Sequence, residues 1–175
     1  MIEYVDIDHA QELDEFVRQH EYAHFMQTSL WGRVKKDWGW HGLICRGDDG
    51  AIRGTMALLE HKVHFFKTSL LYAPRGPIFT LGDYATFEAL IDAAKALAKK
   101  LGAYVFRFDP RIEEQNTEFS EKAKSLGFSQ DMASDYSLFQ PRMCYVTDLN
   151  GLSKDELLAK YRRSTRYNVR LAERR

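Results

Sequence analysis

Apolar positions along the chain switch between two periods, and the switches divide it into alternating strands and helices. Residues 2–7 alternate as a half-buried strand does, whereas Leu13, Phe16 and Val17 recur at the three- and four-residue spacing of a helix face. Asp8 is placed to cap that helix, which the pattern carries to His20. A second helix is expected over 29–37. Two apolar runs then follow, 42–46 and 52–61, separated by GDDG, whose Asp and Gly tolerate positive φ and predict an antiparallel hairpin. A short strand over 70–73 runs into APRGP, where two prolines fix a loop.

The clearest helix spans 84–101, with Phe87, Leu90, Ile91, Ala94 and Leu97 on one face and Gly102 as its stop. The buried strand AYVFRFDP comes straight after it. A helix over 116–126 ends in AKSLGF, where Gly127 suits a left-handed position and Phe128 can pack back on the last turn. Strands are expected over 136–140 and 143–148. Ser153 with Glu156 forms a capping box that opens a terminal helix. The fold class is α+β, or an α/β sandwich-like single-sheet domain: a mixed central sheet flanked by helices, ending in a long basic helix. The hairpin argues against a doubly wound parallel sheet.

Composition adds two constraints. In 175 residues, 45% hydrophobic and 13% aromatic, there is material for one substantial core. Lys plus Arg equals Asp plus Glu at 25 each, so a polyanion site has to be local. It has an obvious place. From Lys160 onward there are seven Lys/Arg against one acid, Glu173, and Arg163, Arg166, Arg170 and Arg174 fall on one helical stripe. A solvated basic face and a face for a phosphate-bearing ligand, RNA or an anionic membrane are the two readings of that stripe. The acidic N-terminus carries no charged leader with an apolar run, which reads as cytoplasmic, and Cys45 and Cys144 sit in apolar strands as small core residues.

Candidate chemistry is sparse. HEYAH, His20 to His24, matches HExxH, which on a helix would hold zinc with Glu21 as base. Gln27 and Leu30 occupy positions where a third ligand could have stood, and the helical pattern fades there, so a polar helix end is the competing reading. No GxSxG, GxGxxG or GxxxxGK[ST] occurs. Arg33, Lys35 and Lys36 lie among Trp31, Trp38 and Trp40, which offers cations for phosphate and flat surfaces for a base or sugar, or else core tryptophans and solvated charges. Arg107 and Asp109 interrupt an apolar strand end, as ligand contacts or as an internal ion pair.

Four separated motifs, QTSLWGRVKKDWGW, LLYAPRGPIF, YVFRFDP and YRRSTRYNVRLAERR, stand in order along nearly the whole chain and together resemble the Fem family of peptidoglycan bridge-forming aminoacyltransferases. The resemblance implies two tandem copies of the GNAT acyltransferase fold. Residues 1–150 would be the first copy and residues 151–175 an inter-domain basic helix at the start of a truncated second domain. It implies transfer of an amino acid from aminoacyl-tRNA to the stem peptide of a UDP-linked or lipid-linked peptidoglycan precursor, in cell wall synthesis that sets cell shape. The isolated chain would then be inactive.

No metal and no coenzyme A are implied, and the acetyl-CoA loop [RQ]xxGx[GA] is missing. Carried over by position, Lys36 and Arg166 would grip the acceptor diphosphate, Trp38 and Asp109 would contact the nucleotide-sugar or stem peptide, and Ser164 and Arg170 would lie near that site. Thr165 competes with Ser164 as the hydroxyl. Peripheral contact with the inner membrane surface would go with a lipid-linked acceptor. A GNAT-like N-acyltransferase with another donor, and a non-catalytic module for an anionic precursor, are the alternatives.

Overall fold

The computed structural model describes residues 1–113, 115–130, 140–141 and 146–174, apart from the His64 side chain. They form two compact units, 1–133 and 134–175.

The first unit is built on one mixed sheet. Strands β1 (Ile2–Val5), β2 (Gly39–Arg46), β3 (Ile52–Val63), β4 (Thr68–Ala73) and β6 (Ala103–Phe108) lie in the order β1-β2-β3-β4-β6, and the short β5 (Ile78–Phe79) also pairs with β3. Neighbours are antiparallel except β4 and β6, which run parallel. GDDG makes the expected hairpin, with Gly50 at φ +77. α3 (Tyr84–Lys100) covers one sheet face, packing Phe87, Leu90, Ile91 and Ala94 on Leu43, Met56, Leu58 and Leu71. α1 (Gln11–Gln19) covers the other, with Leu13 and Val17 against Trp40, Ile44, Ala57 and Leu59. The strict alternation along β2 and β3 therefore serves two cores, one on each side. Cys45 is buried in the α3-side core, as its sequence context suggests; Cys144 lies outside the described residues.

Some sequence expectations change and others fall outside the described residues. Asp8 does not cap α1: the N-cap is Ala10, and Asp8 instead bonds Arg33. The turn before the helix is organised by Asp6, whose Oδ1 accepts the N–H groups of Asp8 and His9, a local bond that competes with capping. The strand expected over 52–61 runs two residues further. The strands expected over 136–140 and 143–148 fall almost wholly outside the described residues, and 146–148 has no regular structure.

β3 needs a partner along its whole edge and loses it midway. Leu59 to Val63 pair with β4 and Gly54–Thr55 with β5, while the APRGP segment swings out between them. The exposed ladder groups of Ala57 are taken by a side chain. Gln27, in the 3-10 turn Phe25–Gln27 and fully buried, donates from Nε2 to the Ala57 carbonyl at 3.0 Å and accepts the Ala57 N–H on Oε1 at 2.9 Å. Its Nε2 also donates to the Pro74 carbonyl at 2.8 Å, which pins the outswung loop. Gly76 is required beside it, because a Cβ there would come 2.3 Å from the Gln27 amide carbon.

α4 (Thr117–Ser125) follows β6. Asn116 caps it, Gly127 ends it at φ +85, and the Phe128 ring packs 4.7 Å from that of Phe108. In the second unit, the Ser153–Glu156 capping box opens α5 (Lys154–Lys160) as expected. The long basic helix is interrupted, however: Tyr161 and Arg162 are extended and α6 (Arg163–Ala172) starts afresh. The break lets Lys154 pair with Glu173, 19 residues on, which one straight helix would hold about 28 Å apart.

Replacing Gln27 by Leu removes three hydrogen bonds and leaves the Ala57 N–H and two carbonyls buried without partners. Denaturant unfolding of Gln27→Leu is expected to show a loss of about 3 kcal/mol or more. A loss within error of zero would mean the edge of β3 needs no such partner.

Candidate functional site

The parallel pair β4 and β6 ends on one edge of the molecule, and in open sheets with parallel strands that end is where ligands bind. Asp109 follows β6 there. Its Oδ1 accepts the backbone N–H of Arg75 at 2.7 Å and its Oδ2 accepts the Tyr72 hydroxyl at 2.9 Å. Arg75, in the loop that leaves β4, has φ +56, a left-handed conformation uncommon outside glycine. Burial raises the Asp109 carboxyl above its ordinary value of 3.8, and the Arg75 N–H, the Tyr72 hydroxyl and the Arg75 charge partly offset it.

Lys36 and Trp38 arrive by another route. α2 (Ser29–Val34) ends and the chain turns through Lys35 to Trp38, closed by the Trp38 N–H on the Lys35 carbonyl at 2.9 Å. Lys36 is exposed in that turn. Trp38 packs partly against the α1-side core, its ring 4.6 Å from that of His61. Trp40 is buried in the same core and Trp31 lies at its margin with Lys35 above its ring at 5.2 Å, so packing claims much of the tryptophan cluster. Tyr72 pairs in register with Leu59 and shares its sheet face. Trp38 and the Tyr72 partner of Asp109 are thus both on the α1 side of the sheet.

HEYAH does not form a metal-binding helix. α1 stops at Gln19, His20 is extended, and His24 begins the 3-10 turn. Nδ1 of His20 accepts the Tyr22 N–H at 3.1 Å and Nδ1 of His24 accepts the Met26 N–H at 3.2 Å, so each ring spends one nitrogen on its own turn. Burial lowers both imidazole pKa values, and at His24 the charges of Arg75 and Arg111 lower it further, which keeps the lone pairs available for those bonds. Among the described residues no three metal-ligating side chains come together.

Ser164, Arg166 and Arg170 lie on α6 in the second unit. The stripe survives the helix break, since Arg163, Arg166 and Arg170 are all within α6 and Arg174 follows it. Ser164, Arg163 and Arg170 are exposed and Arg166 is half-buried. Glu173, which follows α6, pairs with Lys154 and also feels the Arg170 charge. Sequence reading missed Gln27, Tyr72 and Arg75. The PRGP run marked the loop that carries Arg75, but nothing in the sequence pairs Tyr72 or Gln27 with its distant partners. A hollow along the β3–β4 hairpin, lined by Glu60, Lys62, Val63, Lys67, Thr68, Ser69 and Leu101, measures about 170 Å³. That is below the usual size of a closed ligand pocket.

Residues 9–175 match the FemAB family. The Lipid II:glycine glycyltransferase of Staphylococcus aureus (strain bovine RF122 / ET3-1) is 36% identical over 172 residues, covering 94% of this chain and 40% of its own length. The protein of the same name from strain USA300 is 35% identical with the same coverage. The chain therefore spans 40% of the length of these relatives. Among solved structures, FemX superposes with a TM-score of 0.76 at 31% identity, covering all of this chain and 44% of that one. An aminoglycoside acetyltransferase from a soil metagenome, at 16% identity, superposes with a TM-score of 0.57 over 77% of this chain and 94% of that one. The first unit has the acetyltransferase fold that the GNAT resemblance implied.

Because Asp109 is held above 3.8 in the folded protein, its contribution to stability is complete below 3.8 and is lost as pH rises through the folded value. Urea unfolding of the parent and of Asp109→Asn across a pH series should show the parent gaining relative stability as pH falls from neutrality toward 3.8. A flat or opposite difference would contradict the buried carboxyl.

Proposed function

The chain belongs to the FemAB family, and on that premise we propose that it recognises the acceptor in an aminoacyl transfer that builds peptidoglycan bridges. The acceptor would be a lipid-linked or UDP-linked precursor, and the donor an aminoacyl-tRNA. The basic stripe of α6 carries the reading: Arg163, Arg166, Arg170 and Arg174 repel one another, and Glu173, the acid beside them in sequence, is shared between Lys154 and Arg170. A diphosphate relieves that repulsion with charge-assisted bonds.

The reaction asks little covalent chemistry of the protein. The acceptor amine attacks the ester carbonyl, a C–N bond forms, the ester C–O bond breaks, and the tRNA hydroxyl leaves as the amine gives up its proton. Rate then comes from holding two polyanions in register and from stabilising the oxyanion. In this reading Lys36 and Arg166 bind the acceptor diphosphate. The half-buried Trp38 offers its ring to the sugar or peptide, and Asp109 holds the Arg75 loop while presenting a carboxyl to the stem peptide. Ser164, with Thr165 beside it, and Arg170 flank the phosphates. In this reading the protein would act on the cytoplasmic side of wall assembly and, through the wall, in the maintenance of cell shape.

Calorimetric titration with a UDP-linked precursor tests this directly. Lys36→Ala and Arg166→Ala should each weaken binding by about 1.5–3 kcal/mol, the worth of a hydrogen bond to a charged group. Unchanged affinity in both variants would remove the assignment.

A further inference from the structure

The turn of the β3–β4 hairpin reaches past the neighbouring strands. β2 pairs with β3 only as far as Glu60 and β6 pairs with β4 only from Ser69 onward, so Val63, Thr68 and the turn between them have no further strand beside them. At its tip Phe65 and Phe66 are 90% and 72% exposed, their rings edge to face 5.1 Å apart. Two adjacent phenylalanines left in water at the turn of a hairpin contribute nothing to either core. They are oddly costly there unless something covers them.

The charge around them indicates what does. Lys62 and Lys67 flank the tip, both exposed, and neither is in an ion pair among the described residues. Lys99 and Lys100, in the exposed last turn of α3, belong to the same end: the Thr68 hydroxyl donates to the Gly102 carbonyl at 2.7 Å and Leu101 lines the hollow beside Lys62 and Lys67. From His61 to Gly82 the sequence has no Asp or Glu. Glu60, at the hairpin root, is buried and faces His41 at 3.3 Å, and Asp37 sits in the turn before Trp38.

We propose that the Phe65–Phe66 tip is a membrane-surface anchor that inserts into an anionic lipid interface while Lys62, Lys67, Lys99 and Lys100 meet the headgroups. Aromatic rings and lysines are the side chains that settle at that depth, rings among the acyl boundary and ammonium groups at the phosphates. A protein partner fits less well, since a two-ring tip presents far less than the about 800 Å² per side of a stable interface. No helix among the described residues is long and apolar enough to cross a membrane, so the contact is peripheral. The proposal stands on the hairpin and is separate from the acceptor reading; it adds a means of keeping the protein where a lipid-linked acceptor resides.

Co-sedimentation of the 175-residue protein with precursor-free vesicles tests it. The parent is expected to bind mixed phosphatidylglycerol and phosphatidylcholine vesicles and to bind phosphatidylcholine alone far more weakly. The double variant Phe65→Ser with Phe66→Ser should lose at least about tenfold in partitioning, and Lys62→Gln with Lys67→Gln about fivefold per lysine. Both should unfold at the parent's temperature, because all four side chains are exposed. No binding of the parent to anionic vesicles would overturn the proposal. So would parental binding by the Phe variant, and if binding were then lost in Arg166→Ala with Arg170→Ala, the contact would belong to α6.

Discussion

Two hydrogen bonds between one glutamine amide and the backbone of one residue, Ala57, hold the working edge of this domain. β3 must be satisfied along its length, and the chain that should satisfy it leaves for five residues and returns as β5. Gln27 puts a primary amide where a strand would have put a peptide, donating to and accepting from Ala57, and with its remaining N–H it fixes Pro74. A buried amide with every partner in place is worth far more than its average hydrogen bond, because each of the groups it serves would otherwise be buried unpaired. The loop pinned at Pro74 then presents the Arg75 N–H to Asp109, so the placement of the carboxyl at the end of β6 depends on a residue from the far side of the sequence.

This arrangement explains how an acetyltransferase scaffold can serve a family whose reaction, in the proposed reading, needs positioning above all. The opening between β4 and β5 is occupied by protein, with Gln27 and Gly76 packed into it, and the polar groups that emerge at the strand ends are a carboxyl, a tyrosine hydroxyl and an arginine loop. The second unit contributes a different resource, a helix with one basic stripe whose neighbouring acid, Glu173, is shared with Lys154. The polar strand ends and the basic stripe thus belong to different compact units of the chain.

Much of this was legible in the residues. Period-2 and period-3.6 runs located β2, β3, α1 and α3 because burial on both faces of the sheet imposes strong patterns, and Gly127 and Ser153 marked their helix ends through local geometry. Local signals failed where a competing local bond existed, as when the Asp6 turn displaced Asp8 from the cap. They failed again at Tyr161, where an ion pair between Lys154 and Glu173 goes with a broken helix that the periodic charges alone would have continued. HEYAH shows the converse: the pattern is right and the backbone is wrong, since His20 and His24 lie in turns. Asp109 could be singled out as a charge at a strand end, but Tyr72 and Gln27 carry no pattern at all, because their meaning lies in contacts 37 and 30 residues away.

Amide hydrogen exchange at Ala57 and Arg75 tests the central claim most directly. If the Gln27 amide completes the β3 edge and through Pro74 positions the Asp109 loop, the Ala57 and Arg75 amides of the parent should be protected like those of the regular ladder, and both should lose protection together in Gln27→Leu. Rapid exchange at Ala57 in the parent, or loss at Ala57 with Arg75 unaffected, would contradict it.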